Sequence, residues 1–193
     1  MKDNKDLTEI EFDELPQTQK GSLAERILFG RVLPWIYDIP VDYLAPKKTH
    51  AIDSLFNIGN KFIGGECKCT SMLEKYDAYA IRLKQHEKYV EMLKTLPLLT
   101  IFFVDPNIAS IFVAPLRELR KSYIKIDTVN SPMIAYNVSN MWKLDYVIPE
   151  SDCVAMLSFD HDIKTYKYSG NINPEHRGIL DKNLKDMSLL NMF

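Results

Sequence analysis

The chain has 193 residues, of which 46% are hydrophobic and 26% charged, so it is long enough for one domain with a buried core. Its 24 Lys and Arg against 26 Asp and Glu give a formal charge of -2, which excludes a uniformly basic nucleic-acid coat. No apolar run approaches the roughly 18 residues of a membrane span and the start does not resemble a signal peptide, so we expect a cytoplasmic protein without membrane contacts. Three cysteines are too few for a disulfide framework or a four-thiolate metal site.

The chain opens with an acidic segment and continues with a helical pattern. Residues 1–16 carry six acidic side chains against two lysines and almost no aliphatic pattern, which predicts a flexible acidic arm. From Gly21 to about Tyr37 the apolar residues recur with helical spacing, and Ser22 and Glu25 have the spacing of a capping box. Pro34 is expected to kink or end this helix.

The following residues alternate between strand and helix signals, which predicts an α/β fold. We expect a strand hairpin, a long charged helix, two apolar strands, a short basic helix and two further strands. The predicted elements are His50–Phe56, Lys61–Thr70, Met72–Leu96, Leu98–Val104, Ile108–Val113, Leu116–Tyr123, Met133–Val138 and Leu144–Ile148.

The hairpin carries the residues with the clearest chemical meaning. Side chains alternate along a strand, so Glu66 and Lys68 project from the same face, and the hairpin can bring Asp53 beside them. Two converging carboxylates repel each other unless a divalent cation lies between them. A lysine at the same point can orient or deprotonate a water and stabilise developing charge on a phosphate. Gly64 and Gly65 are expected to let a nucleic-acid backbone or another strand approach closely.

A second group of polar residues falls on the predicted long helix. Arg82, Gln85, His86 and Tyr89 are spaced three and four apart and would form one polar face able to hydrogen-bond phosphates. On the first helix, Glu25 is either half of a capping box or a carboxylate that reaches a metal ion. Candidate phosphate contacts downstream are Arg117, Arg120, Lys121 and Lys125.

These motifs together resemble the PD-(D/E)XK nuclease superfamily over about residues 20–123. Asp53 and Glu66-x-Lys68 on a hairpin between helices carry the resemblance, although Ile52 stands where many members have proline. The segment 20–26 (KGSLAER) is similar to the opening of archaeal-type Holliday-junction resolvases. Gln85-x-x-x-Tyr89 resembles a motif of RecB-type and phage recombination exonucleases.

The resemblance implies a restriction-endonuclease-like core, with a mixed central sheet flanked by helices over residues 17–125 and a C-terminal extension of the same domain over 126–193. It implies a Mg²⁺-dependent deoxyribonuclease in which Mn²⁺ can substitute. The implied metal ligands are Asp53, Glu66, the Cys67 carbonyl and Glu25, with Lys68 positioning the nucleophile. Gln85, Tyr89 and Arg82 are expected to hold the DNA strand and not the cation.

Three functions stay open at this point. The first is a resolvase-like or restriction-like endonuclease in DNA recombination, repair or phage DNA processing, and the second is an RecB-type end-processing exonuclease. The third is a catalytically silent nuclease fold used for binding, against which the intact Asp, Glu and Lys set argues. Besides DNA, the expected partners are a second copy of the chain and a clamp or recombination protein that binds the apolar tail Leu189, Leu190, Met192 and Phe193.

Overall fold

The computed structural model describes residues 15–38, 41–43, 52–58, 61–127 and 132–160. The predicted acidic arm before residue 15, His50 and the apolar C-terminal tail lie outside these residues. In chain order the strands are β1 Val41–Tyr43, β2 Ser54–Ile58, β3 Lys61–Cys69, β4 Ala78–Arg82, β5 Leu99–Asp105, β6 Ser110–Pro115, β7 Ile124–Ile126, β8 Met133–Asn137 and β9 Trp142–Lys143. The α-helices are α1 Pro16–Ile27, α2 Leu33–Tyr37, α3 Leu83–Met92, α4 Leu116–Leu119 and α5 Glu150–Leu157.

A mixed sheet forms the centre of the described residues, with strand order β1-β2-β3-β5-β6-β9. β3 runs parallel to β5, and the other neighbouring strands in this sheet are antiparallel. Every residue of β5 is buried, as expected for a continuous apolar strand covered on both faces. Helices flank the sheet, so the predicted α/β class with a mixed central sheet is confirmed.

Apolar side chains pack on both faces of this sheet. Phe102 belongs to a core that includes Phe29 of the N-terminal helical segment, and the two rings meet edge to face with centroids 5.7 Å apart. Phe103 points to the other face, where its ring stacks on Tyr79 of β4 at 5.0 Å. Successive residues of β5 therefore supply two separate cores. Among the described residues, no helix combines the length and apolar character needed to cross a membrane.

The N-terminal helical segment begins earlier than predicted, at Pro16, and the capping-box interpretation of Ser22 is wrong. Ser22 lies inside α1, where its hydroxyl donates to the Thr18 carbonyl at 2.8 Å. Proline is favoured in the first turn of a helix because its missing N–H has no helical partner there, which explains the start. Pro34 does not end the segment either, since it lies in the first turn of α2 after a π-helical turn over Leu28–Val32.

The predicted helix from Met72 to Leu96 is wrong in its first half. A 3₁₀ turn over Glu74–Tyr76 is followed by β4, and α3 begins only at Leu83. β4 pairs with β8, which also pairs with β7, so these strands form a second, three-stranded antiparallel sheet. The Asp77 backbone, with φ of 45°, turns the chain into β4.

Residues after 126 contribute to both sheets. β8 confirms the predicted strand near Met133. The strand expected over Leu144–Ile148 is wrong, because the residues paired with β6 belong to β9, just before this segment. The predicted basic helix is also shorter, ending as α4 at Leu119. Just beyond α5, Asp160 accepts hydrogen bonds from the Lys20 ammonium at 2.8 Å, which joins this end of the described chain to α1.

Candidate active site

The backbone of the hairpin brings Asp53 to the middle of β3. The Asp53 N–H donates to the Gly65 carbonyl at 3.1 Å, one residue before β2 begins. In return, Oδ2 of Asp53 accepts the Cys67 N–H at 2.7 Å. These two bonds lie on either side of Glu66, so the hairpin fixes Asp53 beside this residue, as the sequence predicts.

Glu66 and Lys68 meet on one face of β3, as alternation requires. The Lys68 ammonium donates to Oε1 of Glu66 at 2.5 Å. Glu66 is 5% exposed and Lys68 is partly buried, so the ion pair lies largely away from bulk water. Two carboxylates and an ammonium group are thus held on adjacent strands by backbone hydrogen bonds.

Tyr89 of α3 completes this cluster. Its hydroxyl donates to the same Oε1 of Glu66 at 2.5 Å, and the Lys68 ammonium lies 5.7 Å from its ring centroid. Tyr89 is buried, because α3 packs against this face of the sheet. The side chain expected to hold substrate therefore contacts a proposed metal ligand, a relationship that the sequence pattern did not indicate.

The other residues of the predicted polar face lie in different surroundings. Arg82 is exposed and ends β4, and Gln85 is half-buried in the first turn of α3. His86 is buried and its Nδ1 lies 2.5 Å from the Tyr136 hydroxyl of β8. The face is therefore divided between the acidic cluster and the second sheet. The substrate-binding roles of Arg82, Gln85 and Tyr89 stay predictions.

The electrostatics of the cluster follow from its burial. Removal from water, together with the nearby Glu66 carboxylate, raises the pKa of Asp53 to about 7, although Lys68 and the Cys67 N–H oppose this shift. Burial alone lowers the pKa of Lys68, but the adjacent Glu66 carboxylate outweighs it and the pKa is raised above its ordinary value. Lys68 is therefore an ammonium ion at neutral pH, and Asp53 is a carboxyl group poised to lose its proton.

The two glycines of β3 make room for side chains of the protein itself, where the sequence predicts the close approach of a nucleic-acid backbone or another strand. A Cβ atom at Gly64 would lie 2.2 Å from Cδ2 of Leu96. A Cβ atom at Gly65 would lie 2.3 Å from the Ser54 hydroxyl and 2.8 Å from the ring of Phe29. Side chains from both layers thus fill the space beside the strand.

Glu25 and Cys67 lie on the other side of β3. Glu25 is buried on α1, and its charge acts on the Cys67 thiol, which is 5% exposed and belongs to the core on that side. Burial raises the pKa of Cys67, so the thiol stays protonated. The assignments of Glu25 and the Cys67 carbonyl as metal ligands stay predictions.

The donor set suits a hard divalent cation. Asp53 and Glu66 offer carboxylate oxygens, the ligands that Mg²⁺ prefers, and a cation between them would relieve the repulsion that raises the pKa of Asp53. Within the described ranges, no three or more His, Cys, Asp or Glu side chains are grouped so as to hold an ion. The carboxylate pair of Asp53 and Glu66 fits Mg²⁺, which commonly takes one or two carboxylates and completes its shell with water and substrate phosphate.

One aromatic residue escaped the sequence reasoning. Tyr123 stands among the basic residues Arg120, Lys121 and Lys125, and its ring contacts that of His86 with centroids 5.4 Å apart. An aromatic side chain within a basic segment is a recognisable signal for nucleic-acid binding, which a count of charges alone overlooks.

Solved structures that resemble this chain at low similarity include two nucleases. One is Hjc, a Holliday junction resolvase of the archaeal hyperthermophile Archaeoglobus fulgidus, with 17% identity, a TM-score of 0.41 and coverage of 60% of this chain and 83% of that chain. The other is a nuclease from a fusselovirus, with 12% identity, a TM-score of 0.39 and coverage of 72% of this chain and 94% of that chain. No protein-family model matches the sequence, and no curated protein does.

Proposed function

We propose that this protein is a divalent-metal-dependent nuclease that hydrolyses phosphodiester bonds in DNA. The observation that carries the proposal is the arrangement of Asp53, Glu66 and Lys68. Backbone bonds on either side of Glu66 hold Asp53 in place, and the Lys68 ammonium lies 2.5 Å from Glu66. The resemblance of these residues to the PD-(D/E)XK motif supports the same reaction.

Asp53 and Glu66 would hold Mg²⁺, and Mn²⁺ could substitute because it accepts the same oxygen ligands. When bound, such an ion neutralises charge on the phosphate and makes a water molecule more acidic. Cys67 contributes its N–H to orient the Asp53 carboxylate, and its carbonyl and Glu25 are further candidate ligands. The two carboxylates thus form a candidate cation-binding site, in which backbone hydrogen bonds hold Asp53 beside Glu66.

In the metal-free chain, Lys68 is a hydrogen-bond donor. Its raised pKa keeps the ammonium charged at neutral pH, so it has no free lone pair with which to remove a proton. A charged donor beside the carboxylate pair can orient the attacking water and stabilise negative charge on the phosphate. Glu66 in turn fixes the direction of the Lys68 side chain.

The finer assignment is a resolvase-like or restriction-like endonuclease, supported by the burial of Glu25 next to β3 in a segment that resembles the opening of resolvases. An RecB-type exonuclease is the second candidate, because Tyr89 of the Gln85-x-x-x-Tyr89 motif contacts Glu66. Self-association into a dimer belongs to the first candidate, since a four-way junction presents two equivalent strands.

A cleavage assay tests the proposal and separates these candidates. Labelled four-way junction, linear duplex, single strand and covalently closed circle are incubated with Mg²⁺ or with chelator. We expect cleavage of at least one substrate with Mg²⁺, and no cleavage by Asp53→Asn, Glu66→Gln or Lys68→Gln. Cleavage of closed circles, which have no ends, supports an endonuclease, and a requirement for free ends supports the exonuclease.

The matched controls remove a similar group from the surface. Glu91 and Lys94 form an exposed ion pair at 2.7 Å. Glu91→Gln and Lys94→Gln therefore remove one negative and one positive charge from solvent-exposed positions. Both controls should cleave like the unmodified chain. Binding of DNA without cleavage under any metal condition would support the catalytically silent binding module instead. Full activity in Asp53→Asn would contradict the assignment of Asp53 to the active site.

A further inference from the structure

Beside the proposed active site, three aromatic rings form a cluster between α3 and the second sheet. His86 of α3 lies between Tyr136 of β8 and Tyr123, with its Nδ1 2.5 Å from the Tyr136 hydroxyl and its ring 5.4 Å from that of Tyr123. His86 and Tyr136 are buried, whereas Tyr123 is 41% exposed. The cluster thus has two buried rings, His86 and Tyr136, and one ring, Tyr123, that faces solvent.

Two exposed cations accompany this ring. Lys125 pairs in register with Ile134 and therefore shares a sheet face with Tyr136, two residues along β8. Arg120 follows α4. Burial is the main cause of the lowered pKa of His86, and the positive charges of Arg120 and Lys125 lower it further. Arg120 and Lys125 consequently lie around the same aromatic cluster.

Arg120 and Lys125 differ from the neighbouring basic residues in their ion pairs among the described residues. Glu118 accepts a hydrogen bond from Lys121 at 2.6 Å and lies 3.7 Å from Nε of Arg117. Arg120 and Lys125 are exposed, and neither forms an ion pair with another residue in the described part of the chain. Among the described residues, therefore, no acidic side chain neutralises these two charges, and both can bind an anionic ligand.

The cluster is adjacent to the proposed active site. His86 and Tyr89 are three residues apart on α3, so their side chains occupy neighbouring turns on one side of the helix, about 5–6 Å between Cβ atoms. Tyr89 contacts Glu66, and His86 contacts Tyr123. Glu66 and Tyr123 are therefore linked through two neighbouring side chains of α3.

We propose that Arg120, Tyr123 and Lys125 form a subsite for single-stranded DNA next to the cleavage site. Arg120 and Lys125 bind phosphates, and an unpaired base stacks on the exposed ring of Tyr123. Duplex DNA is disfavoured, because its bases are already stacked and do not present a free face to an aromatic side chain. This inference rests on the proposed function, since it names the form of substrate that would lie beside the site.

Fluorescence anisotropy with a labelled 20-nucleotide thymidine oligomer and the matching duplex tests the subsite in chelator, where no cleavage occurs. Arg120→Gln/Lys125→Gln should weaken binding of the single strand and reduce the slope of log affinity against log salt by about 1.4, the value for two lost phosphate contacts. Tyr123→Ala should weaken single-strand binding by about tenfold and leave duplex binding unchanged. Tyr123→Phe keeps the ring and should bind like the unmodified chain.

The matched control is Lys84→Gln/Lys88→Gln, which removes the same charge from exposed positions. Each lies two residues from His86, and 100° per residue places both on the opposite side of α3. This control should keep the salt slope. An unchanged slope in Arg120→Gln/Lys125→Gln, an equal loss in the control, or no single-strand binding by the unmodified chain would overturn the subsite.

The two proposals fail separately. If no substrate is cleaved but the single strand binds through Arg120, Tyr123 and Lys125, the nuclease assignment falls and the subsite stands. If DNA is cleaved while these variants bind single strands normally, the subsite falls and the nuclease assignment stands. Melting temperatures of all variants, which change exposed side chains, should stay close to that of the unmodified protein.

Discussion

Tyr89 donates its phenolic hydrogen to Oε1 of Glu66 over 2.5 Å, and so connects helix α3 to the carboxylate of strand β3. Burial raises the pKa of Tyr89, so the hydroxyl keeps its proton and stays a donor across the physiological range. Groups that hydrogen-bond a metal ligand commonly fix its direction and tune its affinity for the ion. Tyr89 is thus better placed to orient Glu66 than to hold a phosphate.

Tyr89→Phe should therefore change metal binding as well as cleavage. Loss of the hydrogen bond leaves Glu66 less well oriented, and we expect cleavage to fall about 10- to 100-fold with a weaker Mg²⁺ affinity. Calorimetric titration of Mg²⁺ measures the affinity directly.

Gln85→Ala is the comparison, because Gln85 lies one turn earlier on α3, whereas the hydrogen bonds described at Glu66 come from Lys68 and Tyr89. It should keep Mg²⁺ affinity and alter only cleavage or DNA binding. The sequence alone led us to expect intact metal affinity for both variants. Equal Mg²⁺ affinities in Tyr89→Phe and the unmodified chain would restore that expectation.

Asp53 should make the metal-free protein less stable as the pH rises. Its folded pKa of about 7 exceeds the ordinary value of 3.8, so between these values the folded chain holds a proton that the unfolded chain has lost. Its contribution to the free energy of unfolding falls as the pH rises through this window and is constant above it. Asp53→Asn removes the contribution and keeps an oxygen to accept the Cys67 N–H.

Thermal melts in chelator at pH values from 4 to 8 check this. We expect Asp53→Asn to melt higher than the unmodified chain at pH 8, by about 2–4 °C for each kcal/mol gained, and to match it near pH 4. Saturating Mg²⁺ should stabilise the unmodified chain more than the variant. A constant difference across the pH range would show that burial of Asp53 carries no ionisation cost.

Gly65 should not tolerate a methyl group, although the change is small. Its Cβ would enter the ring of Phe29 and the Ser54 hydroxyl, so Gly65→Ala should cost about 1–3 kcal/mol by overpacking. Gly30→Ala makes the same chemical change where nothing lies within 4 Å. In its helical setting, Gly30→Ala should gain about 0.5–1 kcal/mol. Urea denaturation of the pair gives the comparison, and a stable Gly65→Ala would contradict the packing described.

Asp105 should matter for stability and not for chemistry. Its buried carboxylate accepts hydrogen bonds from the Met72 N–H at 2.9 Å, the Asn107 N–H at 3.0 Å and the Tyr79 hydroxyl at 3.1 Å. Asp105→Ala leaves these donors without a partner and should cost about 2–4 kcal/mol in unfolding free energy. Asp105→Asn keeps one acceptor oxygen and should cost less. A loss of cleavage in a still-folded Asp105→Asn would place this residue in the site.

The hairpin and its charged residues could be predicted because they follow from local rules. Strand alternation sends Glu66 and Lys68 to one face, and a tight hairpin returns the chain to Asp53. The predicted helix over Met72–Leu96 could not be corrected from its own residues, since β4 exists through pairing with β8, whose paired residues lie 51 to 59 positions later. Non-local pairing of this kind overrides a helical pattern and leaves no mark on it.

The role of Tyr89 shows a second limit. Spacing along a helix tells which side chains share a face, but it does not tell what that face packs against. Gln85, His86 and Tyr89 appear equivalent in sequence, yet Tyr89 meets Glu66 and His86 meets Tyr136 because two different layers cover α3. The same limit applies to Gly65, because the space that its side chain would take is occupied by Phe29, which is distant in sequence.

The Cys67 N–H, which donates to the Asp53 carboxylate at 2.7 Å, gives the protein an internal spectroscopic reporter. An amide bonded to a carboxylate changes its proton chemical shift when that carboxylate is protonated or binds a cation. In a ¹⁵N-labelled sample, this one resonance would follow Asp53 through its titration near pH 7 and through addition of Mg²⁺. The occupancy of the site can thus be read from the backbone, without DNA and without a reaction.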